Sequence, residues 1–516
     1  MKEYDVLIIG GGITGVGIAR DCAMRGLRTI LVERQDLTNG ATGRNHGLLH
    51  SGARYAVTDP GSAAECIREN RIIQRIASNC VEPTGGLFVS LPGDDEDYGK
   101  LFLSSCRAAG IDAKEMDPAE ALLHEPAINK DIVAAVKVPD ASVDPFRLAT
   151  ANAVDARLHG ATVLTYHEVV QLLQENGAVV GARLRKDGSD GLLTVRAAVT
   201  VNAAGVWGQK IAAMADVPLT LLPSKGSLLI FGHRVAKMTV NRCRKPSSAD
   251  ILVPGDVVSV LGTTSSKVCL EECDNIRVKP GEVTELLRGG CELVPVLART
   301  RVLRAYAGVR PLYSDSNDPT GRDVSRGITI IDHETRDGLR GFITATGGKL
   351  TTYRLMAEQV TDIVCRKLKM RRKCSTADKP LPGSEKDFFP EEGALSRKAA
   401  AMRHGTKSSE MDFDRKSEVL CGCEHVTRAE IAFAVKNLDV HNLVELRRRT
   451  RVGMGTCQGS FCMGRVAAAL AEELGRPEDA GILVAQYVQE RWKGIAPVCW
   501  GESLREAEYM RKLYKK

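Results

Sequence analysis

The sequence predicts an α/β protein with three parts: a Rossmann-like nucleotide-binding domain, a second domain built on a mixed sheet, and a small helical domain near the carboxyl end. Three observations predict this architecture. A glycine-rich turn follows the first apolar run, several strand-like runs lie outside the strand–helix–strand pattern, and four closely spaced cysteines follow residue 420. At 516 residues the chain exceeds one hydrophobic core, so several domains are expected.

The first element is a strand–helix–strand unit that is typical of dinucleotide binding. Its strand, helix and second strand are predicted at residues 4–9, 16–25 and 27–32. In the turn, Gly10 permits the tight bend, Gly12 lets the backbone approach a pyrophosphate, and Gly15 lets helix and strand pack closely. Glu33 closes the second strand and would accept hydrogen bonds from ribose hydroxyls. The amino terminus of the helix would face the pyrophosphate.

This fingerprint fits either FAD or NAD. Its place at the start of the chain, with no catalytic domain before it, favours FAD. Residues 201–207 favour FAD as well, because they resemble a strand that runs into a turn of small residues. At this turn Ala204 and Gly205 would let the backbone pack against a second part of an extended FAD, although an ordinary buried strand end has the same pattern.

The next parts of the chain predict a mixed sheet, a linker and a helical domain. Strand-like runs outside the first unit lie at residues 86–91, 133–139, 228–231 and 256–261. Residues 371–416 carry clustered basic residues and then Pro380, Pro382 and Pro390, which favours a largely irregular linker. Helices are expected at 427–436 and 442–449.

Four cysteines near the carboxyl end suggest a metal site. They form the pairs Cys421-x-Cys423 and Cys457-x4-Cys462. Structural zinc sites usually use pairs separated by two to four residues, so the first pair is unusual for zinc. The spacing resembles the [2Fe–2S] domains of the bacterioferritin-associated-ferredoxin (BFD) type, in which four thiolates hold a one-electron carrier. A zinc ion or an empty site remain the alternatives.

Composition excludes several other classes. Hydrophobic residues make up 43% and charged residues 26%, so disorder is not expected. The net charge of +7 is modest, and the basic runs at 371–373 and 447–449 lack interleaved aromatic residues, which argues against nucleic-acid binding. With fifteen cysteines, no signal peptide and no long apolar run, we expect a cytoplasmic protein with reduced thiols.

Further segments carry a resemblance to a known family. They are residues 40–55 (GATGRNHGLLHSGARY), 306–312 (YAGVRPL), 344–354 (TATGGKLTTYR), 241–255 and 491–501. Together with the fingerprint they resemble FAD-dependent glycerol-3-phosphate dehydrogenases, and above all the large (A) subunits of the anaerobic, multi-subunit enzymes. The resemblance covers essentially the whole chain.

The resemblance implies a glutathione-reductase-type FAD domain, a mixed-sheet substrate domain that roofs the flavin, and a helical [2Fe–2S] domain. The implied boundaries are 1–80, 145–215 and 300–370 for FAD, 81–144 and 216–299 for the substrate, 371–416 for the linker and 417–516 for the cluster. The implied reaction oxidises sn-glycerol 3-phosphate to dihydroxyacetone phosphate by hydride transfer to FAD. Electrons would pass through the cluster to two further subunits, one an iron–sulfur membrane anchor, and on to quinone. The chain would lie on the inner face of the membrane, and bound FMN in the complex is left open.

The resemblance also implies an active-site set. Oxidation of a secondary alcohol needs a base near the hydroxyl and cations for the phosphate and the reduced flavin. By resemblance, His50 is the proton acceptor, Arg310 grips the phosphate, Arg54 and Tyr55 assist at the substrate, and Lys349 stabilises the reduced flavin. The implied cofactor contacts are Gly10, Gly12, Gly15, Glu33, Arg34, Thr42, Ala204, Gly205, Gly347, Gly348, Lys349, Leu350 and Thr351.

Other interpretations stay open at this point. When each residue is considered alone, His50 could be a structural hydrogen-bond donor and Arg310 a cation at the surface. Lys349 could contact the cofactor only. As a whole, the chain could oxidise another 2-hydroxy compound, such as a hydroxy acid whose carboxylate replaces the phosphate. A redox sensor or cluster-holding adaptor is a third interpretation, and it predicts bound flavin and cluster without reduction by any small alcohol.

Overall fold

The structure, a computed structural model, describes residues 2–313, 327–385 and 394–514. Its helices are Ile13–Met24, Pro60–Ile76, Glu96–Ala108, Pro118–His124, Pro145–Leu158, Gly208–Ala213, Pro280–Leu293, His333–Asp337, Tyr353–Lys367, Leu395–His404, Arg428–Asn437, Leu443–Thr450, Met463–Glu473, Ala480–Ile495 and Gly501–Leu513. Two large sheets precede a helical carboxyl-terminal part, which is the predicted α/β architecture.

The nucleotide-binding part is built on a sheet with a parallel centre. Lys2–Ile9 pairs in parallel with Thr29–Val32 on one side and with Leu192–Asn202 on the other. Within the described chain this sheet comprises Lys2–Ile9, Thr29–Val32, Thr162–Leu164, His167–Glu175, Ala178–Lys186, Leu192–Asn202, Ile328–Asp332 and Phe342–Gly347. Its central strand is apolar at successive positions because alternate side chains enter two separate cores, one on each face.

Helices cover one face of this sheet. Ile13–Met24 packs against Pro145–Leu158 and against Tyr353–Lys367. The helix Pro145–Leu158 begins after Asp144, whose side chain accepts hydrogen bonds from the backbone N–H groups of Phe146 and Arg147. The chain therefore returns to the nucleotide-binding part directly after residue 144.

The second sheet is mixed. Its described strands are Gly86–Ser90, Lys114–Met116, Ala134–Val138, Leu221–Phe231, Thr239–Arg242, Ile251–Gly255, Val258–Gly262, Ser266–Lys267 and Val302–Tyr313. The neighbours are antiparallel except for Gly86–Ser90, which pairs in parallel with Thr239–Arg242. Shorter sheets join Leu48–Leu49, Val81–Glu82 and Ala141–Val143, and Val419–Cys421 with Val426–Thr427.

One predicted boundary is wrong. The prediction places residues 300–370 in the nucleotide-binding part, yet Val302–Tyr313 pairs along its whole length with Leu221–Phe231 of the second sheet. The two strands lie about 80 residues apart in sequence, so local pattern could not show which sheet the later strand joins. Part of the same predicted range, residues 314–326, lies outside the described residues.

The predicted linker is more ordered than expected. Leu395–His404 forms a helix, since its run of alanines at 399–401 favours one. The stretch around Pro380 and Pro382 has no regular structure, but Leu381 is fully buried in the core of the nucleotide-binding part. Pro390 lies outside the described residues.

The carboxyl-terminal part has its own core and is held to the rest by buried ion pairs. Arg448 and Arg449 donate hydrogen bonds to Asp36 at 2.8 and 2.5 Å. Arg451 lies 2.6 Å from Asp256. Two arginines of the basic run at 447–449 therefore form ion pairs within the chain. None of the helices that the structure describes is long and apolar enough to cross a lipid bilayer.

Candidate active site

A cavity of about 1190 Å³ is lined by residues of both large sheets. Most of the predicted site residues line it: Gly10, Gly12, Glu33, Arg34, Thr42, His50, Arg54, Tyr55, Ala204, Gly205, Arg310, Gly347, Gly348, Lys349 and Leu350. Gly15 and Thr351 do not line the cavity. The nucleotide fingerprint and the predicted catalytic side chains thus share one continuous space.

The glycine-rich turn has the geometry that its sequence predicts. Gly10 has a φ of +115°, and a Cβ there would lie 2.5 Å from the carbonyl oxygen of Ala203. A Cβ on Gly15 would lie 1.8 Å from the carbonyl oxygen of Gly10. Gly15 therefore serves the packing of the helix against the turn, which explains why it does not line the cavity.

Polar groups at this end of the cavity hold the turn in place. Glu33 accepts hydrogen bonds from the backbone N–H groups of Gly11 at 2.7 Å and Gln35 at 2.9 Å. Burial raises the pKa of Glu33 above its ordinary value. The hydroxyl of Thr42 accepts from the N–H of Ile13 at 2.9 Å, at the start of the helix. A carboxylate beside a helix amino terminus and a glycine turn fits the ribose and pyrophosphate of FAD.

Arg34 lies at the rim in a small polar cluster. Its guanidinium stacks over the ring of Trp207 at 4.5 Å and lies 2.5 Å from Asp274. The indole N–H of Trp207 donates to the same carboxylate at 2.9 Å. This cluster ties the nucleotide-binding part to residue 274 of the second part.

At the other end, Tyr55 lies between two predicted catalytic side chains. The rings of His50 and Tyr55 are 5.2 Å apart at their centroids, and Nζ of Lys349 lies 4.8 Å from the centre of the Tyr55 ring. Tyr55 follows Gly52 by three residues, and the turn at Gly52 brings His50 and Tyr55 to the same side. Three of the predicted residues are therefore in direct contact.

Arg54 is held by a fully buried carboxylate. Its Nη2 lies 2.9 Å from Asp250, and Asp250 also accepts from Arg244 at 2.9 Å and from the N–H of Ser247 at 2.6 Å. One carboxylate therefore orients two guanidiniums. Only Arg54 of this pair lines the cavity, among the residues that the structure describes.

Arg310 is oriented by neutral groups of its own sheet. It donates to the hydroxyl of Thr263 at 2.6 Å and to that of Ser224 at 3.4 Å. Gly226 leaves room for it, because a Cβ there would lie 2.4 Å from Nη2 of Arg310. Hydroxyls and a missing side chain thus place a guanidinium at the cavity wall.

Three residues of this site were not predicted as site residues from the sequence. Asn241 lines the cavity, is 1% exposed, and neither amide atom has a hydrogen-bond partner among the described residues. Asp140 also lines it and accepts from the N–H of Ser51 at 2.6 Å, and burial raises its pKa to about 6. Asp250 is the third. Asn241 and Asp250 fall in a segment that carried the resemblance, and that was the available signal.

The four cysteines form a second site. The sulfurs of Cys423 and Cys457 are 3.7 Å apart. Cys421 is hydrogen-bonded to Cys423 and Cys462, and Cys457 to Cys423 and Cys462, so the thiols form a ring of pairs. These bonds lower the pKa of Cys421 and Cys457 and raise the pKa of Cys423 and Cys462, because each bond favours the thiolate of the accepting sulfur and the thiol of the donor.

Comparison with known proteins identifies both parts of the chain. The family of FAD dependent oxidoreductases matches residues 5–354, and the BFD-like [2Fe-2S] binding domain matches residues 419–472. Among solved structures, a glycerol-3-phosphate dehydrogenase from Bacillus halodurans complexed with FAD shares the fold, with a TM-score of 0.72, 23% identity and 97% of each chain covered.

Curated relatives match over the full length. The A subunit of the anaerobic glycerol-3-phosphate dehydrogenase of Escherichia coli is 54% identical over 100% of this chain and 96% of that protein. The corresponding A subunit of Haemophilus influenzae is 52% identical over 99% of this chain and 92% of that protein. The chain therefore belongs to the family of anaerobic glycerol-3-phosphate dehydrogenase A subunits, which are flavoprotein oxidoreductases, with an FAD-dependent oxidoreductase fold and a BFD-like [2Fe–2S] domain.

Proposed function

We propose that this chain oxidises sn-glycerol 3-phosphate to dihydroxyacetone phosphate with FAD, and passes the electrons through a [2Fe–2S] cluster to partner subunits and quinone. One observation carries the proposal. His50, Arg54, Arg310 and Lys349 line the same cavity as the glycine turn and Glu33. The names of the relatives, a dehydrogenase of this substrate and a subunit of a larger enzyme, support it.

The cations account for binding of the phosphate. Arg310 would make paired hydrogen bonds to phosphate oxygens, because a guanidinium presents two parallel donors. Its contacts with Thr263 and Ser224 fix the direction of these donors before substrate arrives. Arg54, held by Asp250, would contact the substrate from the same cavity, with Tyr55 beside it.

The remaining residues account for the proton and the charge. The alcohol carbon loses a hydride and its hydroxyl loses a proton, which leaves the ketone. FAD, when bound, supplies the two-electron acceptor for the hydride. His50 would accept the hydroxyl proton, and Tyr55 packs against its ring. Lys349 would stabilise negative charge on the reduced cofactor, since its ammonium lines the cavity next to Gly347 and Gly348.

The cluster site supports a role in electron transfer. Cys421, Cys423, Cys457 and Cys462 would hold the [2Fe–2S] cluster, which carries single electrons. We propose that two partner subunits, one of them an iron–sulfur membrane anchor, accept these electrons and hold the chain at the inner face of the membrane. Acid extraction of the purified complex would show whether FMN is bound as well.

An anaerobic visible spectrum tests the reaction. Addition of sn-glycerol 3-phosphate to the oxidised protein is expected to bleach the flavin absorption first and the cluster absorption afterwards. A flavin band that stays unchanged in the complete complex would contradict the proposed reaction. Cluster absorption that stays oxidised after the flavin has been reduced would contradict the electron path only.

A variant distinguishes phosphate from carboxylate substrates. Arg310→Ala is expected to raise the KM for glycerol 3-phosphate about 10- to 100-fold, since hydrogen bonds to charged groups contribute about 1.5–3 kcal/mol each. Reduction of the native flavin by lactate or another 2-hydroxy acid at rates above those with glycerol 3-phosphate would favour the alternative substrate class.

A further inference from the structure

A second cavity lies where three parts of the chain meet. It has a volume of about 360 Å³ and is lined by Arg44, by Arg304 and by Arg447. These come from the loop after the second strand, from the second sheet, and from the carboxyl-terminal domain. We propose that this space, here called the arginine cavity, binds a small organic phosphate between the loop of residues 33–47, here called the flavin loop, and the carboxyl-terminal residues 417–514, here called the cluster domain.

The first argument is unsatisfied donors. Arg304 is 9% exposed, and its Nε is buried without a hydrogen-bond partner among the described residues. The Nε of Arg447 is buried and unpartnered in the same way. Burying a guanidinium donor without an acceptor costs free energy. An anion bound beside Arg304 and Arg447 would supply the missing acceptors.

The second argument is charge balance. The other cations of the cavity wall have carboxylates: Arg147 pairs with Asp144, Arg448 with Asp36, Arg451 with Asp256 and Lys493 with Glu490. Within the described chain, Arg44, Arg304 and Arg447 form no ion pair with any carboxylate. Glu490, which pairs with Lys493, is the carboxylate of the cavity wall that attracts these three arginines, so positive charge stays in excess among them.

Burial and mutual repulsion both disfavour the charged forms of these guanidiniums. Burial and the charges of Arg304 and Arg448 lower the pKa of Arg447 to about 9. Burial also lowers the pKa of Arg44, and the charges of Arg448 and Arg304 add to this effect while Glu490 opposes it. An anion placed among them would reverse this effect, because it favours the charged form of each guanidinium.

The third argument concerns the kind of ligand. Guanidinium forks match the oxygens of a phosphate, and three of them would surround one group. The rest of the wall includes apolar side chains, namely Ile230, Val258, Val260, Ile276 and Val278. A volume of about 360 Å³ lies in the range of small-molecule sites. The cavity therefore fits a phosphate joined to an apolar body better than a free ion.

This site is separate from the substrate site and does not depend on the proposed reaction. Arg44, Asn45 and His46 line both cavities and form the wall between them. Met454, three residues before Cys457, lines the arginine cavity only, among the described residues. A ligand there would contact the flavin loop on one side and the cluster domain on the other.

Equilibrium dialysis of the purified holoenzyme with labelled inorganic phosphate tests the site. The native chain is expected to bind two phosphates. The Arg310→Gln variant lacks the proposed contact to the substrate phosphate and is expected to bind one. Adding Arg304→Gln and Arg447→Gln to Arg310→Gln should leave none. Arg157→Gln is the matched control, because Arg157 pairs with Asp439 of the carboxyl-terminal domain and lines neither cavity. Equal binding by Arg310→Gln with and without the two added changes would overturn the proposal.

Phenyl phosphate in place of phosphate tests the apolar end. In the Arg310→Gln background it is expected to bind at least tenfold more tightly than inorganic phosphate, and equal affinity would overturn the organic part of the proposal. If Arg310 does not hold phosphate, native protein and Arg310→Gln will bind the same number of phosphates. The changes at Arg304 and Arg447 would still remove one, so the two failures can be told apart.

Thermal unfolding separates ligand binding from a structural role. In phosphate-free buffer, Arg304→Gln with Arg447→Gln should unfold at the native temperature or above it, since two repelling charges are gone. Phosphate should raise the unfolding temperature of native protein by several degrees and that of the double variant by less. A double variant that unfolds well below native protein in phosphate-free buffer would show structural arginines and contradict the proposal.

Discussion

Gly226 and Arg310 lie on paired strands with no space between them for another atom: a Cβ on Gly226 would lie 2.4 Å from Nη2 of Arg310. The obstructing atom is the far end of a flexible side chain, so a larger residue would displace the guanidinium and leave the backbone in place. The position of the proposed phosphate contact therefore depends on the absence of a side chain at Gly226, which lies two residue pairs away from the pair Ser224–Arg310 along the two strands.

Gly226→Ala is therefore expected to weaken substrate binding without unfolding the protein. The KM for glycerol 3-phosphate should rise about 10-fold or more, because Arg310 loses its aligned hydrogen bonds to the phosphate. Gly232→Ala is the control, since its Cβ would make an ordinary contact of 3.5 Å. Steady-state kinetics with a dye acceptor provides the measurement, and an unchanged KM in Gly226→Ala would refute this role of Arg310.

The stability of the protein should depend on the charge of Asp140. Burial raises the pKa of Asp140 from 3.8 to about 6, so the folded chain holds this proton more tightly than the unfolded chain. The stabilisation is complete below about pH 4 and is lost as the pH rises through 6. Asp140→Asn keeps an acceptor for Ser51 and cannot ionise.

As the pH rises from 5 to 7.5, the unfolding free energy of Asp140→Asn should increase by about 1–2 kcal/mol relative to that of native protein. Urea titrations of both proteins at the two pH values measure this difference. A difference between variant and native protein that does not change with pH would contradict the raised pKa.

The docking of the carboxyl-terminal part should depend on Asp36. Asp36→Asn leaves Arg449, which is 1% exposed, buried without a carboxylate, and this costs about 3–5 kcal/mol. Limited proteolysis should then release the carboxyl-terminal part faster. Asp5→Asn removes the exposed pair with Arg28 and should leave proteolysis unchanged. Equal cleavage rates in the two variants would argue against docking through Asp36.

Cys421→Ser should separate the two redox sites. Loss of one thiolate is expected to abolish the cluster absorption and its electron paramagnetic resonance signal, while substrate still reduces the flavin. Transfer to a one-electron acceptor should fall at least tenfold. Cys291→Ser, a half-buried cysteine outside the ring, should behave as native protein. Bound zinc in place of two irons per native chain would contradict the cluster assignment.

Local patterns predicted the parts of the fold that depend on neighbours in sequence. The turn at Gly10, the acid at Glu33 and the cysteine pairs are each specified within a few residues, and the structure places each set together. The fold class and the family are confirmed by the full-length relatives and by the shared fold. The individual roles of His50 and Lys349 remain predictions.

The unpredicted features depend on partners that are distant in sequence. Asp250 holds Arg54 across 196 residues, and Asp36 holds Arg449 across 413 residues. Pairing of Val302–Tyr313 with Leu221–Phe231 is of the same kind. In the sequence, each of these charged residues looks like an ordinary surface charge, and each strand looks like an ordinary half-buried strand. Only the folded chain shows which partner each one has.

The strand Val302–Tyr313 imposes a limit on how this family can diverge. It carries Arg304 to one cavity and Arg310 to the other. Since side chains alternate along a strand, inserting one residue between the two arginines would turn one of them to the opposite face. Natural selection should therefore preserve the six-residue spacing between Arg304 and Arg310 wherever both anionic ligands are bound.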